Sequence, residues 1–277
     1  MKYVSYLRPD GRSSFGRAEG NRIIDLACDA KAKDLRCALD ANVLHDLDMG
    51  DTFKLSDLVL LPPIPNPRKI LCVGINYETH RRETGRAEAA FPTIFTRFAD
   101  TLVPHGGHLV RPRVSSDFDY EGELAVVIGK GGRAISKEEA LAHVAGYACF
   151  NDASVRDWQR HTTQFTPGKN FPGTGGFGPW LVTPEEVGDP ASRSVVTRLN
   201  GQTVQAQRVT EMIWSVPELI AYISAFTPLA PGDVIATGTP GGVGSKRDPP
   251  LWMKPGDTVS VEIDGLGVLV NHVVDEI

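Results

Sequence analysis

The sequence predicts an α+β fold, mostly β, in which a small N-terminal α+β domain precedes a larger strand-rich one. Two observations carry this. From residue 121 onward strand signals recur at Leu124–Ile128, Ala145–Phe150, Trp180–Val182, Ser194–Leu199, Asp233–Thr237, Thr258–Ile263 and Val268–Val274. Only Lys137–His143, Ala153–Arg160 and Ser215–Phe226 read as helical there, so the regular βαβ alternation of a doubly wound sheet is missing. Second, Pro62-Pro63-Ile64-Pro65-Asn66-Pro67 cannot form regular structure and divides the chain into residues 1–66 and 67–277. The full length of 277 residues fits one large domain plus an appendage, at roughly 150 residues per domain.

Ahead of the boundary, residues 2–8 and about 15–26 read as paired strands, with Glu19-Gly20-Asn21 supplying a turn, and Ala30–Leu47 reads as helical. Lys69–Gly74 is a buried strand. The polar segment Ile75–Gly85 ends in a plausible glycine C-cap and reads as a short exposed helix or a mobile loop. Residues 86–113, broken by Pro92, Pro104, Gly106, Gly107 and Pro112, read as loops and edge strands.

Composition narrows the function. A net charge of −5 and a pI near 5.8 argue against nucleic acid or an anionic membrane as partner, leaving small molecules and proteins. Cys28, Cys37, Cys72 and Cys149 are scattered, with neither a zinc pattern nor a disulfide framework. No segment has the apolar length of a signal peptide or a membrane span, which points to the cytoplasm.

Chemistry concentrates around Asp119-Tyr120-Glu121-Gly122-Glu123-Leu124-Ala125-Val126-Val127-Ile128-Gly129. Side chains alternate along a strand, so Glu121 and Glu123 point the same way at the mouth of an apolar run. Two such carboxylates repel each other unless a cation compensates them. Strand Ala145–Phe150 leads to Asn151-Asp152, and Asp152, Arg156 and Gln159 then fall at i, i+4 and i+7 on one expected helix face. By itself that pattern is an N-cap with an ordinary salt bridge. Together with Glu121 and Glu123 it makes a three-carboxylate oxygen cluster suited to Mg²⁺, Mn²⁺ or Ca²⁺, beside an Arg and a Gln that could take a carboxylate or keto acid.

His80 and Glu83, at i and i+3, form a candidate general-base pair. Lys169 stands in a glycine- and proline-rich loop. There Gly173, Gly175 and Gly178 formally satisfy GxGxxG but lack the strand-before, helix-after context of a dinucleotide site. The turn Gly238-Thr239-Pro240-Gly241-Gly242-Val243-Gly244 offers backbone N–H groups and Thr239 to an anionic oxygen.

These pieces, in order, resemble the fumarylacetoacetate hydrolase family. The matching residues are Gly74-Ile75-Asn76-Tyr77 with His80 and Glu83, the Asp119–Gly129 stretch, Asn151-Asp152-Ala153-Ser154 with Arg156 and Gln159, Lys169 ahead of Gly178-Pro179-Trp180, and Pro231-Gly232-Asp233 through Thr237-Gly238-Thr239-Pro240. The resemblance covers about Lys69 to the C-terminus, and the N-terminal segment resembles the small domain of many bacterial members. It implies a mixed β-sandwich roll, usually a homodimer, with Mg²⁺ or Mn²⁺ on Glu121, Glu123 and Asp152. It further implies a 2-keto or 2,4-diketo acid substrate contacted by Lys169, Arg156, Gln159 and Thr239, and a lid carrying His80 and Glu83. Ile75 departs from the family pattern, where Arg is frequent.

The activity expected first is hydrolysis of a C–C bond in an acylpyruvate-like acid, in aromatic or sugar-acid catabolism, with His80 deprotonating water and the metal and Lys169 stabilising a pyruvate enolate. Decarboxylation of a keto acid such as oxaloacetate, or tautomerisation of it or of a 2-hydroxydienedioate, would use the same site. A non-catalytic keto-acid-binding protein is the alternative from another class, and it would have no use for a base.

Overall fold

The computed structural model describes residues 1–27 and 32–277. Cys28 and the first residues of the helix expected over Ala30–Leu47 lie outside the described part.

The N-terminal segment supplies β1 (Lys2–Leu7), β2 (Ser13–Glu19), β3 (Arg22–Asp25), helix α1 (Leu35–Asp40), β4 (Thr52–Lys54) and β5 (Val59–Leu61). The helix is far shorter than its polar–apolar pattern suggests. Asp34 caps its start by accepting from the Cys37 N–H at 2.7 Å, and the left-handed Asn42 turns the chain away just beyond its end. Strands β1 to β4 form a meander, and β1 also pairs antiparallel with a strand of the larger unit, so the N-terminal strands extend the main sheet.

Next come β6 (Ile70–Gly74), α2 (Glu78–Thr84), β7 (Thr93–Arg97), β8 (Leu102–Val103), β9 (His108–Arg111), β10 (Phe118–Asp119), β11 (Gly122–Ile128), β12 (Val144–Asp152) and β13 (Ser154–Val155). The one-turn helices α3 (Arg156–Gln159) and α4 (Thr166–Lys169) lead into β14 (Gly175–Val182), α5 (Pro184–Val187), β15 (Ser194–Leu199), β16 (Gln202–Arg208) and α6 (Val216–Phe226). The chain closes with β17 (Val234–Ala236), β18 (Thr258–Ile263) and β19 (Gly267–Asp275). The main sheet runs β4-β3-β2-β1-β14-β12-β11-β17-β6-β7, and a second sheet runs β16-β15-β18-β19-β9.

Strand β11 explains why its sequence is uniformly apolar. Leu124, Val126 and Ile128 face one core, shared with α6 and with Val195, Val261 and Leu269 of the second sheet. Ala125 and Val127 face the other, with Ala148, Phe150, Phe177 and Leu35. Between the two glutamates, Gly122 faces the second sheet, where a Cβ would stand 2.0 Å from Thr197 Oγ1. That close approach permits no larger residue.

Three expectations need correction. Ala153–Arg160 is not one helix: Ser154 and Val155 pair with Asp119 and Phe118 in a small two-stranded ladder, and only Arg156–Gln159 is helical. Lys137–His143 contains only a 3₁₀ turn at Ala140–His143. The glycine-rich run after Lys169 is largely strand β14, where Gly176 fits because a Cβ would stand 2.6 Å from Asn271 Oδ1. Among the described residues no helix is long and apolar enough to cross a membrane.

Candidate active site

The site forms where four strand ends meet. Strand β11 runs antiparallel to both β12 and β17, so its start lies beside their ends, and β6, parallel to β17, finishes at the same place. Glu121 and Glu123 come from the start of β11 and Asp152 from the end of β12. The end of β17 continues into the glycine-rich turn, and the end of β6 into Ile75 and α2. A cavity of about 680 Å³ opens there, lined by Glu121, Glu123, His80, Arg156, Gln159, Lys169 and Thr239 among others.

Glu121, Glu123 and Asp152 are all buried, and one carboxylate oxygen from each lies within 4.8 Å of the others. Lys169 Nζ donates to Glu121 Oε2 at 2.7 Å and to Asp152 Oδ2 at 2.5 Å. Arg156 pairs with Glu121 Oε1 at 2.6 Å and with Asp119 Oδ2 at 2.8 Å, and reaches Gln159 Oε1 at 2.9 Å. Arg97 binds Asp152 and the Ala153 carbonyl. Asp152 therefore does not form the expected i,i+4 pair with Arg156, because β13 intervenes and places the two side chains against different partners.

The electrostatics follow from this pairing. Burial pushes the Glu121 carboxyl up, but the Arg156 and Lys169 cations outweigh it and hold the group well below the usual range. Glu123 has no such partner. Burial first, then Asp152 and Glu121, push it well above the ordinary carboxylate value, against a 2.8 Å hydrogen bond from the Gly238 N–H. Burial would lower the Lys169 ammonium, but Asp152 and Glu121 more than offset that and keep it protonated. Four buried carboxylates (Asp119, Glu121, Glu123, Asp152) thus face three cations (Arg97, Arg156, Lys169). The uncompensated charge sits on Glu123, and a divalent cation fits it: the donor set is all oxygen, buried and short of positive charge.

Helix α2 is neither exposed throughout nor loose. His80 is buried, with Nδ1 2.7 Å from Glu83 Oε1, and Glu83 Oε2 accepts from the Gly242 N–H at 2.8 Å. Thr79 accepts from the Gly241 N–H at 3.1 Å. The glycine-rich turn is an anion cradle, but for the protein's own carboxylates: Gly238 binds Glu123, Gly242 binds Glu83, and Gly244 and Ser245 bind Asp119. Thr239 lines the cavity while donating to the Gly122 carbonyl and accepting from Gln205.

All nine residues singled out from the sequence lie at this one place, and seven of them line the cavity; Asp152 stands behind it, and Glu83 stands behind His80. The reading missed Arg97, whose only local signal is a charge ending an apolar strand, and gave no role to Asp119, which shares the alternation of Glu121 and Glu123. It also missed Asn76, which bonds the Trp214 N–H and carbonyl and the Thr237 carbonyl and so docks the start of α2.

With this geometry in hand, comparison with known proteins places the molecule. The family model for the C-terminal region of fumarylacetoacetate (FAA) hydrolases matches residues 69–274, and the chain belongs to that family. A mitochondrial oxaloacetate tautomerase of Xenopus laevis is 43% identical over 291 residues, covering 99% of this chain and 89% of the relative. The oxaloacetate tautomerase YisK of Bacillus subtilis is 43% identical over 226 residues, 80% of this chain and 75% of that one. The solved structure of the fumarylacetoacetate hydrolase of Exiguobacterium antarcticum superposes with a TM-score of 0.89 at 36% identity over the whole of both chains. The mixed, mostly β architecture is that of the family.

Proposed function

We propose that the chain is a divalent-metal-dependent tautomerase of a 2-keto dicarboxylic acid of the oxaloacetate type, interconverting its enol and keto forms. The observation that carries this is His80. Its Nδ1 is fixed by Glu83, which leaves Nε2 as the nitrogen available to a molecule in the cavity. Among its neighbours, Lys169 is held protonated and Glu121 is held ionised by its cations, so neither competes as a base of intermediate strength. The names of both curated relatives support tautomerisation over the C–C hydrolysis expected first from the sequence.

Glu121, Glu123 and Asp152 would hold Mg²⁺ or Mn²⁺, and such an ion supplies Lewis acidity to the keto oxygen and the adjacent carboxylate. Arg156 Nη2 is buried without a hydrogen-bond partner and is positioned as a donor for a carboxylate oxygen. From enol to keto, the enol O–H bond breaks and a C3–H bond forms. His80 carries the proton between the two atoms, and no water or other reactant is consumed. Lys169 keeps a fixed positive charge beside the developing enolate oxygen.

The test follows the ultraviolet absorbance of enol-oxaloacetate in the presence of Mn²⁺, with pyruvate release measured in parallel. Enol loss should be faster than in buffer and yield no pyruvate. His80→Gln should slow it by about 10²–10⁴-fold, the usual worth of a positioned base. Rapid release of pyruvate from acetylpyruvate, with the enol unaffected, would establish the hydrolytic reading instead.

A further inference from the structure

We infer that Arg86 is the specificity-determining residue that binds the far carboxylate of a dicarboxylic substrate, an assignment that builds on the oxaloacetate-type reading above. Six cations line the cavity: Arg81, Arg86, Arg156, Arg160, Lys169 and Lys246. Arg156 and Lys169 are committed to the buried acids, and Arg81 to Glu78 at 2.7 Å. Among the described residues, Arg86, Arg160 and Lys246 form no ion pair, so, with Arg156 Nη2 at the floor assigned to one carboxylate, they are the charges left to answer a second.

Of these three, Arg86 has its charged group seated on an aromatic ring of the cavity wall. Its N–H donates to the Arg81 carbonyl at 3.1 Å, and Arg81 Nη1 donates back to the Arg86 carbonyl at 2.9 Å, tying its backbone to the end of α2. Its guanidinium lies over the Phe165 ring, 5.9 Å from the centroid. Phe165 packs edge-on against Phe95 at 5.6 Å, and Lys169 Nζ stands 5.0 Å from the Phe95 centroid. One aromatic wall therefore carries a fixed cation at each end, Lys169 at the floor and Arg86 at the rim. A ligand lying along it meets positive charge at both termini and apolar surface between, which matches an acid with a carboxylate at each end of a short carbon chain. A monoacid leaves Arg86 unanswered.

The experiment measures kcat/KM for the enols of oxaloacetate and 2-oxobutyrate. It also measures, by calorimetry with the Mn²⁺-loaded protein, the affinities of malate and lactate, which need no turnover. In Arg86→Gln the preference for oxaloacetate over 2-oxobutyrate, and for malate over lactate, should fall ~10–100-fold, as expected for one charge-assisted hydrogen bond. Arg86→Lys should restore part of it. Arg82→Gln removes the same charge from an exposed position on α2 outside the cavity lining and should leave the preference within about twofold. Retention of the wild-type malate preference in Arg86→Gln, or its absence from the wild type, overturns the assignment. If the wild type fails to tautomerise oxaloacetate yet shows an Arg86-dependent malate preference, the carboxylate contact stands and the tautomerase reading falls.

Discussion

Glu123 on β11 and Glu83 on α2 line or border the same cavity, and each accepts a 2.8 Å hydrogen bond from a glycine N–H of the same turn, Gly238 for one and Gly242 for the other. Their surroundings then diverge. Glu123 is buried beside two further carboxylates, and its pKa is driven up by that crowding. Glu83 is partly exposed, and its other oxygen meets His80. One kind of backbone anchor thus serves opposite ends: at the floor it holds an acid in place against repulsion, and at the rim it aims an imidazole. The floor stores unfavourable electrostatic energy that a cation can release.

Lys169 is where breaking this contrast costs most. In Lys169→Met, Glu121 and Asp152 lose a shared buried cation, and removing one partner of a buried pair costs about 3–5 kcal/mol. At about 2–4 °C per kcal/mol for a chain of this size, the metal-free variant should melt roughly 6–20 °C below wild type. Mn²⁺ should recover more of that loss than it adds to wild type, since it supplies charge to the same oxygens. Equal Mn²⁺-induced shifts in the two proteins would show that Lys169 and the ion do not serve one cluster.

Glu123→Gln tests the stored repulsion itself. A carboxyl whose folded pKa is raised favours folding only while protonated. Metal-free wild type should therefore lose stability as pH climbs past the ordinary value of 4.5 toward the raised one. The glutamine keeps an acceptor for the Gly238 N–H without the charge. Melting curves of the metal-free proteins should nearly coincide at about pH 4 and separate by neutral pH, with Glu123→Gln the more stable. Calorimetry should find its Mn²⁺ binding lost. Metal-free wild type melting above the variant at pH 7 would remove the strained-floor account.

At the rim the same exchange behaves differently. Glu83→Gln retains hydrogen-bonding capacity toward Gly242 and His80 but not the charge that orients and supports the imidazolium. Turnover should drop about 10–100-fold, the scale known for partners that orient a ligating or basic histidine. Melting temperature should move by no more than the equivalent of about 0.5 kcal/mol, and Mn²⁺ affinity should hold. A rim variant that weakened metal binding as much as Glu123→Gln does would erase the distinction between the two regions.

The same division decided what could be read from the sequence. The floor's acids lie on a strand whose alternation is visible locally, so Glu121 and Glu123 declared themselves, and His80 and Glu83 did so through i,i+3 spacing. Their cations are tertiary. Arg97 reaches Asp152 across 55 positions, Lys169 reaches Glu121 across 48, and no local period encodes either. Lys169 was singled out by the glycine- and proline-rich loop that carries it, and its role came from the ordered family motif; Arg97 had neither help. The helix expected over Ala153–Arg160 failed for a related reason: pairing of Ser154 with Asp119 overrode local helical preference, and that pairing is what separates Asp152 from Arg156. Strand β16 was missed because its sequence is largely polar, although Gln205 within it is buried, donates to Thr239 and accepts from the Gly122 N–H.

Ile75, at the junction between floor and rim, gives the smallest effect. It is β-branched, lines the cavity and has φ +58°, a left-handed conformation that costs an L-residue roughly 1–2 kcal/mol. Asn76 enforces it, through side-chain bonds to Trp214 and Thr237 and a backbone bond from the Ile213 N–H at 2.7 Å, so the strain cannot relax while α2 stays docked. Ile75→Gly removes that strain but frees the unfolded chain, a cost of about 0.5–1 kcal/mol, and it gives up some partly buried apolar surface. These contributions nearly cancel, so the melting temperature should stay within about 3 °C of wild type despite the loss of a large aliphatic side chain. A fall of the size usual for deleting a buried aliphatic side chain, about 2–5 kcal/mol, would mean that packing rather than backbone conformation governs this position, and that the junction belongs energetically with the floor.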